Sequence, residues 1–184
     1  WLHCDASNKQ LPCEVRFIRL PSSKSRLIRA SIIDIAARRQ ADTLAYGERR
    51  VLELIAANAP LERTLQAVVR LVEQLHPLTG AAVFLLDSTA TRLTLAASSG
   101  VSKGVADALA SLQVGLHAGS CGAAASLGRQ VVVRDLAAEP LWAEIKAVPL
   151  AHGIRASCST PIITSGERVH GTLALFFDSI RGPK

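Results

Sequence analysis

IRASCSTPII (residues 154–163), the short connection TSGE (164–167) and RVHGTLALFF (168–177) decide the fold. Both outer segments are rich in β-branched and aromatic residues, and Ser165-Gly166 between them is a tight-turn pair, so they read as an antiparallel hairpin. In the second strand Val169, Gly171, Leu173, Leu175 and Phe177 fall on one face. In the first, Arg155, Ser157 and Ser159 share one face and Ala156, Cys158 and Thr160 the other, because side chains alternate along a strand. The sequence does not choose which of these two sets faces the interior.

Working outward, Val131–Val133 reads as a strand, Ser120–Leu127 as a helix of small residues, and Ser102–Leu112 as a short helix. Trp142–Ala151 reads as a helix disturbed by Pro149. Gly80–Asp87 is an apolar run of buried-strand length, and Thr91–Ala97 alternates Leu93, Leu95 and Ala97 against Arg92 and Thr94, giving a second hairpin. Leu61, Leu65, Val68, Val72 and Leu75 repeat at helical spacing, with Pro60 suited to the first turn and His76-Pro77 ending the run. The predicted class is α+β, an antiparallel sheet flanked by helices.

The front of the chain is different. Cys13–Leu20 and Leu27–Ile35 read as strands, with polar turns at Asp5-Ala6-Ser7-Asn8 and Pro21-Ser22-Ser23. From Asp34 the period becomes helical: Ala37, Ala41, Leu44, Glu48, Val51, Ile55 and Asn58 form a 4-3 seam, five of whose seven positions are apolar. That seam suits pairing with a second copy; it equally suits packing on its own domain. Gly47 weakens the helix by about 1 kcal/mol relative to Ala and allows a joint there.

Charge and composition exclude several classes. The 184 residues are 49% hydrophobic and 20% charged, a globular rather than a disordered balance. No run approaches the roughly 20 apolar residues that span a bilayer, and no signal peptide is recognisable. The net charge of +6 invites a nucleic-acid reading, but ten Lys and Arg against five Asp and Glu lie in residues 1–50, and the remainder is nearly neutral. Seven aromatics offer few stacking platforms, so no nucleic-acid partner is expected. Cys4, Cys13, Cys121 and Cys158 form no C-x-x-C pair and have no His at ligand spacing, so no metal is expected, and sparse cysteines of this kind fit a reducing cytoplasm. Beginning at Trp1 without Met, the chain reads as part of something longer.

Several motifs taken together carry a family resemblance. GSCGAA (119–124) is followed by VVVRDL (131–136), EPLW (139–142), HGIRASCSTPI (152–162) and VHGTLA (169–174). In this order, over roughly residues 48–180, they resemble the GAF domain family, of the type found in bacterial multidomain signalling proteins with GGDEF and EAL domains or histidine kinases. Residues 1–35 are similar to the C-terminal strands of a PAS domain, with Asp5-Ala6 where Asp-Gly is usual. Ile33-Asp34-Ile35 is similar to the PAS exit motif, with Ala36 in place of Thr. The resemblance implies truncated PAS strands at 1–35, a connecting signalling helix at 36–58, and a GAF domain at 59–180 whose first helix overlaps the connector from about residue 48.

It also implies a function: a non-catalytic sensory or regulatory module that binds a small ligand, dimerises through the helix of residues 34–58, and controls an output domain outside this chain. Cyclic-di-GMP turnover is among the outputs of such proteins. The cofactor, if any, is unknown, and the bilin-attachment and cyclic-nucleotide motifs of other GAF domains are absent. The candidate pocket residues are Ser120, Cys121, Asp135, Trp142, Arg155, Ser157 and Ser159. Gly119 and Gly122 permit a tight helix start whose free amides suit an anion or carbonyl, or simply fit a cramped turn. Asp135 either reaches a ligand or caps the turn before Glu139, and Trp142 either stacks on a ligand or fills the core. His117 and His152 read as surface or structural histidines.

Two alternatives stand beside this reading. The Gly-x-Cys-Gly turn also resembles free methionine sulfoxide reductases, which would make Cys121 a nucleophile activated by the helix N-terminus. The rest of that family's cysteine set is missing, however. A ligand-free dimerisation spacer is the third reading.

Overall fold

The structure, a computed structural model, describes residues 2–4, 10–21, 26–76 and 80–180. The turns expected at Asp5–Asn8 and at Ser22-Ser23, and the Pro77 stop, lie outside the described residues. The chain divides into two compact units, Trp1–Glu48 and Arg49–Lys184.

In the first unit, β1 (Leu2–Cys4), β2 (Gln10–Leu20) and β3 (Leu27–Asp34) form an antiparallel sheet in that order. The β2–β3 ladder pairs Cys13 with Asp34 and Leu20 with Leu27. Its register places Val15, Phe17, Ile28, Ala30 and Ile32 on one face, and Phe17, Ile28 and Ile32 are exposed. Asp34 ends the ladder and starts the helix: its Oδ1 accepts the Ala36 amide at 2.8 Å, meeting one of the donors a helix start leaves unpaired. Helix α1 (Ala36–Ala56) runs without a break through Gly47.

In the second unit, α2 (Leu61–Leu75) leads into β4 (Gly80–Leu86), β5 (Arg92–Ser99), α3 (Lys103–Ala108), β6 (Ser111–Gln113), α4 (Gly119–Leu127) and β7 (Val131–Val133). A 3₁₀ turn at Pro140–Trp142, α5 (Ala147–Ala151), β8 (Ala156–Ile163) and β9 (Val169–Phe177) complete it. The six strands form one antiparallel sheet in the order β6-β5-β4-β9-β8-β7. The α+β class expected from the sequence is therefore observed, and the 154–177 hairpin supplies two of the central strands.

Both faces of the sheet are covered, which explains why β4 reads as an unbroken apolar run. Helix α2 covers one face: Val69, Leu65 and Val72 pack on Ala81, Val83, Ala97, Leu173 and Leu175. Gln66 Nε2 donates to Ser98 O at 2.9 Å and Ser99 bonds Glu73, tying α2 to β5. The opposite face carries the larger cluster, with Ala82, Phe84, Leu93, Ala174 and Phe176 of the sheet under Val105, Leu109, Cys121, Ala125, Leu136 and Trp142.

Four details depart from the sequence reading. Leu93 and Leu95 pack with the larger cluster while Ala97 turns to the α2 side, because the β4–β5 ladder slips between Val83 and Phe84 and leaves Ala96 unpaired. Val169 likewise joins the larger cluster rather than Leu173 and Leu175, next to a slip between Ile162 and Ile163. The helix expected over 102–112 stops at Ala108, since Ser111–Gln113 pairs with Arg92–Thr94 as an edge strand. The helix expected from Trp142 is split: Pro140–Trp142 is 3₁₀, Ala143–Ile145 turns, and only Ala147–Ala151 is α-helical.

Gly171 is required by strand packing. A Cβ there would meet the Phe84 carbonyl oxygen at 2.1 Å, inside the β4–β9 ladder. Gly171→Ala is expected to destabilise the second unit by about 1–3 kcal/mol, the usual cost of overpacking a filled interior. Urea unfolding checks this: a midpoint below wild type with unchanged slope is the expected result.

Candidate functional site

Helix α4 brings four of the seven predicted residues together, Ser120, Cys121, Ser157 and Ser159. Gly119 to Ala125 are all buried, and nothing larger than Cys121 occurs among them, so the helix lies close against β8 and β9. Gly122 permits this approach: a Cβ would stand 2.4 Å from Gln113 O and 2.6 Å from the Ala118 Cβ. Gly119, at φ +69°, adopts the left-handed conformation that favours glycine. Both glycines therefore sit where the backbone is cramped.

Between α4 and β8 lies a chain of buried polar side chains. Ser159 Oγ donates to Ser120 Oγ at 2.9 Å, Ser120 Oγ is 3.0 Å from Ser157 Oγ, and Cys121 Sγ is 3.4 Å from Ser159 Oγ. All four residues are essentially inaccessible. The choice the sequence left open is resolved by this packing: Ser157 and Ser159 face α4, while Ala156 and Cys158 form a separate cluster with Phe177 on the other face.

Three predicted residues sit apart from this chain. Arg155 precedes β8 and is exposed, its Nη1 donating to Leu150 O at 3.0 Å. Asp135 caps its own turn, Oδ1 accepting the Ala137 amide at 3.0 Å. Trp142 is fully buried in the larger cluster, and its indole Nε1 has no acceptor among the described residues. His152 Nδ1 bonds Val148 O at 3.0 Å, the structural role expected of it.

Burial pushes the Cys121 thiol up to about 11 from an ordinary 9.0, outweighing the hydrogen bonds from Ser159, Thr172, Ser120 and its own backbone amide. The thiol is sealed and protonated at neutral pH. Cys158 is also raised by burial, and it faces away from Ser159 and hence from Cys121. Among the described residues no group of three His, Cys, Asp or Glu is placed to hold a metal.

The open space lies beside this cluster. A cavity of about 370 Å³ is lined by β6 and the following loop, including Gln113, Gly115, His117 and Ala118, with Glu144 and Ile145 opposite. Glu144 and Ile145 were missed from sequence because the 142–151 segment read as one helix; the Glu-Pro pair before Trp142 was the available sign of a turn. A second space of about 100 Å³ lies beside Val101, Ser102 and His152.

Because the folded state disfavours the Cys121 thiolate, the stability this group contributes is whole below pH about 9 and is lost as pH rises through about 11. The slope is about 1.4 kcal/mol per pH unit across that window. Urea unfolding between pH 7 and the alkaline limit is expected to show this slope in wild type, and a smaller one in Cys121→Ser.

Comparison with known proteins places the chain. The chain is 30% identical, over 153 residues, to the methyl sulfide methyltransferase-associated sensor of Methanosarcina acetivorans; the matched region is 83% of this chain and 15% of that protein. Among solved structures, the free methionine-R-sulfoxide reductase of Neisseria meningitidis in complex with its substrate superposes with a TM-score of 0.59 at 20% identity, covering 82% of this chain and 80% of that one. The GAF domain of a phosphoenolpyruvate-protein phosphotransferase from Coxiella burnetii gives the same TM-score and identity, covering 81% and 83%. At such identities these likenesses establish the fold alone. The GAF domain family itself matches residues 58–183, and the chain belongs to that family.

Proposed function

We propose that this chain is a non-catalytic sensory module of a larger cytoplasmic signalling protein, in which a small ligand held by the GAF domain biases the pairing of two α1 helices. The observation that carries this reading is the exposed seam of α1: Leu44 and Ile55 are 41% and 56% exposed and Glu48 is also open, while Asn58, expected on the same seam, lies past the helix end in a turn. A long helix with exposed apolar residues at 4-3 spacing suits a two-stranded coil. A coil with two alternative registers or separations is a bistable element, which a ligand of unequal affinity for the two states can bias.

The chain spans only 15% of a relative whose name is that of a sensor, which supports a regulatory role within a longer protein. On this reading the three-stranded unit is the end of a PAS domain, with Asp34 passing the chain from sheet to signalling helix. The controlled output is a cyclase, phosphodiesterase or kinase, with cyclic-di-GMP turnover as the first to test. Among the described residues no helix is long and apolar enough to cross a membrane.

A redox enzyme using Cys121 is the competing class, and the sealed, protonated thiol supports the regulatory reading over it. Sedimentation velocity tests the proposal. Wild type is expected to dimerise, and Leu44→Glu with Ile55→Glu to weaken association at least about tenfold, since charges replace seam residues. A wild-type monomer at high concentration contradicts it. No reduction of free methionine sulfoxide above a Cys121→Ser control is expected; a clear Cys121-dependent rate would establish the enzyme instead.

A further inference from the structure

The cavity beside β6 presents a carboxylate and no cation to pair with it. It measures about 370 Å³, within the roughly 300–1,000 Å³ of small-molecule sites. The chain has a net charge of +6, yet the described residues that line this cavity include no Lys or Arg. The carboxylate is that of Glu144. Asp135 and Glu139 on the same stretch each cap a turn, accepting the amides of Ala137 and Leu141. The Glu144 carboxylate has no hydrogen bond or ion pair among the described residues.

Two cations beside the lining residues are engaged elsewhere. Lys146 Nζ donates to Ala137 O at 2.7 Å, and Arg92 Nη1 donates to Ser111 Oγ at 2.8 Å. Ser111 lines the cavity; Lys146 and Arg92 do not. Both walls are held by the backbone. On one, the Val114 amide bonds Thr91 O at 2.9 Å and the Gly115 amide bonds Gly122 O at 3.2 Å. On the other, the Ile145 amide bonds Trp142 O at 3.0 Å. The space is therefore preformed, as small-molecule sites usually are.

We propose that this cavity binds a primary ammonium ion carrying a short apolar chain, with the ammonium on Glu144 and the chain along Val114, Leu116 and Ile145. This rests on the reading of the domain as a ligand sensor and names the chemistry of its ligand. An ammonium group has three N–H donors and no acceptor, which suits a free carboxylate. The Gln113 amide and the His117 imidazole, also on the lining, are further acceptors for it. A lone negative charge in a cleft with apolar walls attracts cations and repels carboxylates and phosphates. No aromatic ring is among the described lining residues, so a quaternary ammonium, which lacks N–H groups and relies on ring faces, is disfavoured.

The test is nuclear magnetic resonance of the ¹⁵N-labelled full chain, with n-butylammonium chloride titrated against sodium chloride at equal ionic strength. Further arms use n-butanol, sodium butanoate and butyltrimethylammonium chloride, which keep the apolar chain and change the head group. The expected result is a saturable shift of the Leu116, His117, Glu144 and Ile145 amides with butylammonium. Sodium chloride is expected to give none, and the other three to bind more weakly.

Glu144→Gln is expected to weaken butylammonium binding at least about tenfold, as loss of a charge-assisted hydrogen bond implies. Glu144 is exposed, so the variant is expected to fold, and an unchanged spectrum away from the cavity checks this. No saturable shift with butylammonium, equal or tighter binding of butanol, butanoate or butyltrimethylammonium, or wild-type affinity in Glu144→Gln overturns the proposal. Sedimentation without ligand reports on α1 pairing alone, so any of these failures is distinguishable from failure of the sensory reading.

Discussion

Three serine hydroxyls hold the second unit in its form. Ser120 on α4 stands between Ser157 and Ser159 on β8, at 3.0 and 2.9 Å, and among the described residues these hydroxyls hydrogen-bond one another and the Cys121 thiol. Buried polar groups are costly unless paired, so the helix is stable in the one position that satisfies all three. That position brings α4 so near the sheet that only small side chains fit, which accounts for the Gly, Ser, Cys and Ala composition of its buried turns. Because α4 is pinned there, its first turn is held against the ring of Trp142, next to Ala118 and Ile145 of the open cavity.

The remainder of the domain makes that position rigid. The sheet is filled on both faces, by α2 on one and by the Phe84, Phe176 and Trp142 cluster on the other. Empty space is found at the rim, where β6 is only three residues long and the 140–146 turn faces it. The sheet is thus filled on both faces, its open space lies at the rim, and Cys121 sits sealed in the packed part.

Much of this was legible in the sequence. Strict alternation, Ser165-Gly166 and the spacing of Leu61 to Leu75 report local geometry, and the β8–β9 hairpin and α2 lie where those patterns put them. Gly119 and Gly122 were legible as a tight helix start because only glycine tolerates such a φ or such an approach. What escaped depends on long-range pairing. The slip at Ala96, which turns Ala97 to the other face, is set by β4 across the ladder, and β6 is a strand only because Arg92–Thr94 pairs with it. The inward face of β8 could not be chosen because both faces end up buried, one against serine and one against Phe177. The sequence offered activation of Cys121 by a helix terminus only as an alternative; desolvation, a property of the packed state, raises the thiol instead.

The pinning of α4 is most directly tested by amide hydrogen exchange resolved to single residues. The account predicts that the amides of Ala123, Ala124 and Ala125 exchange only by global unfolding of the second unit, as slowly as those of β4 and β9, and that Ser120→Ala speeds them ahead of the sheet. If these amides exchange quickly in wild type while β4 and β9 stay protected, α4 is not held by the serine contacts and the account fails.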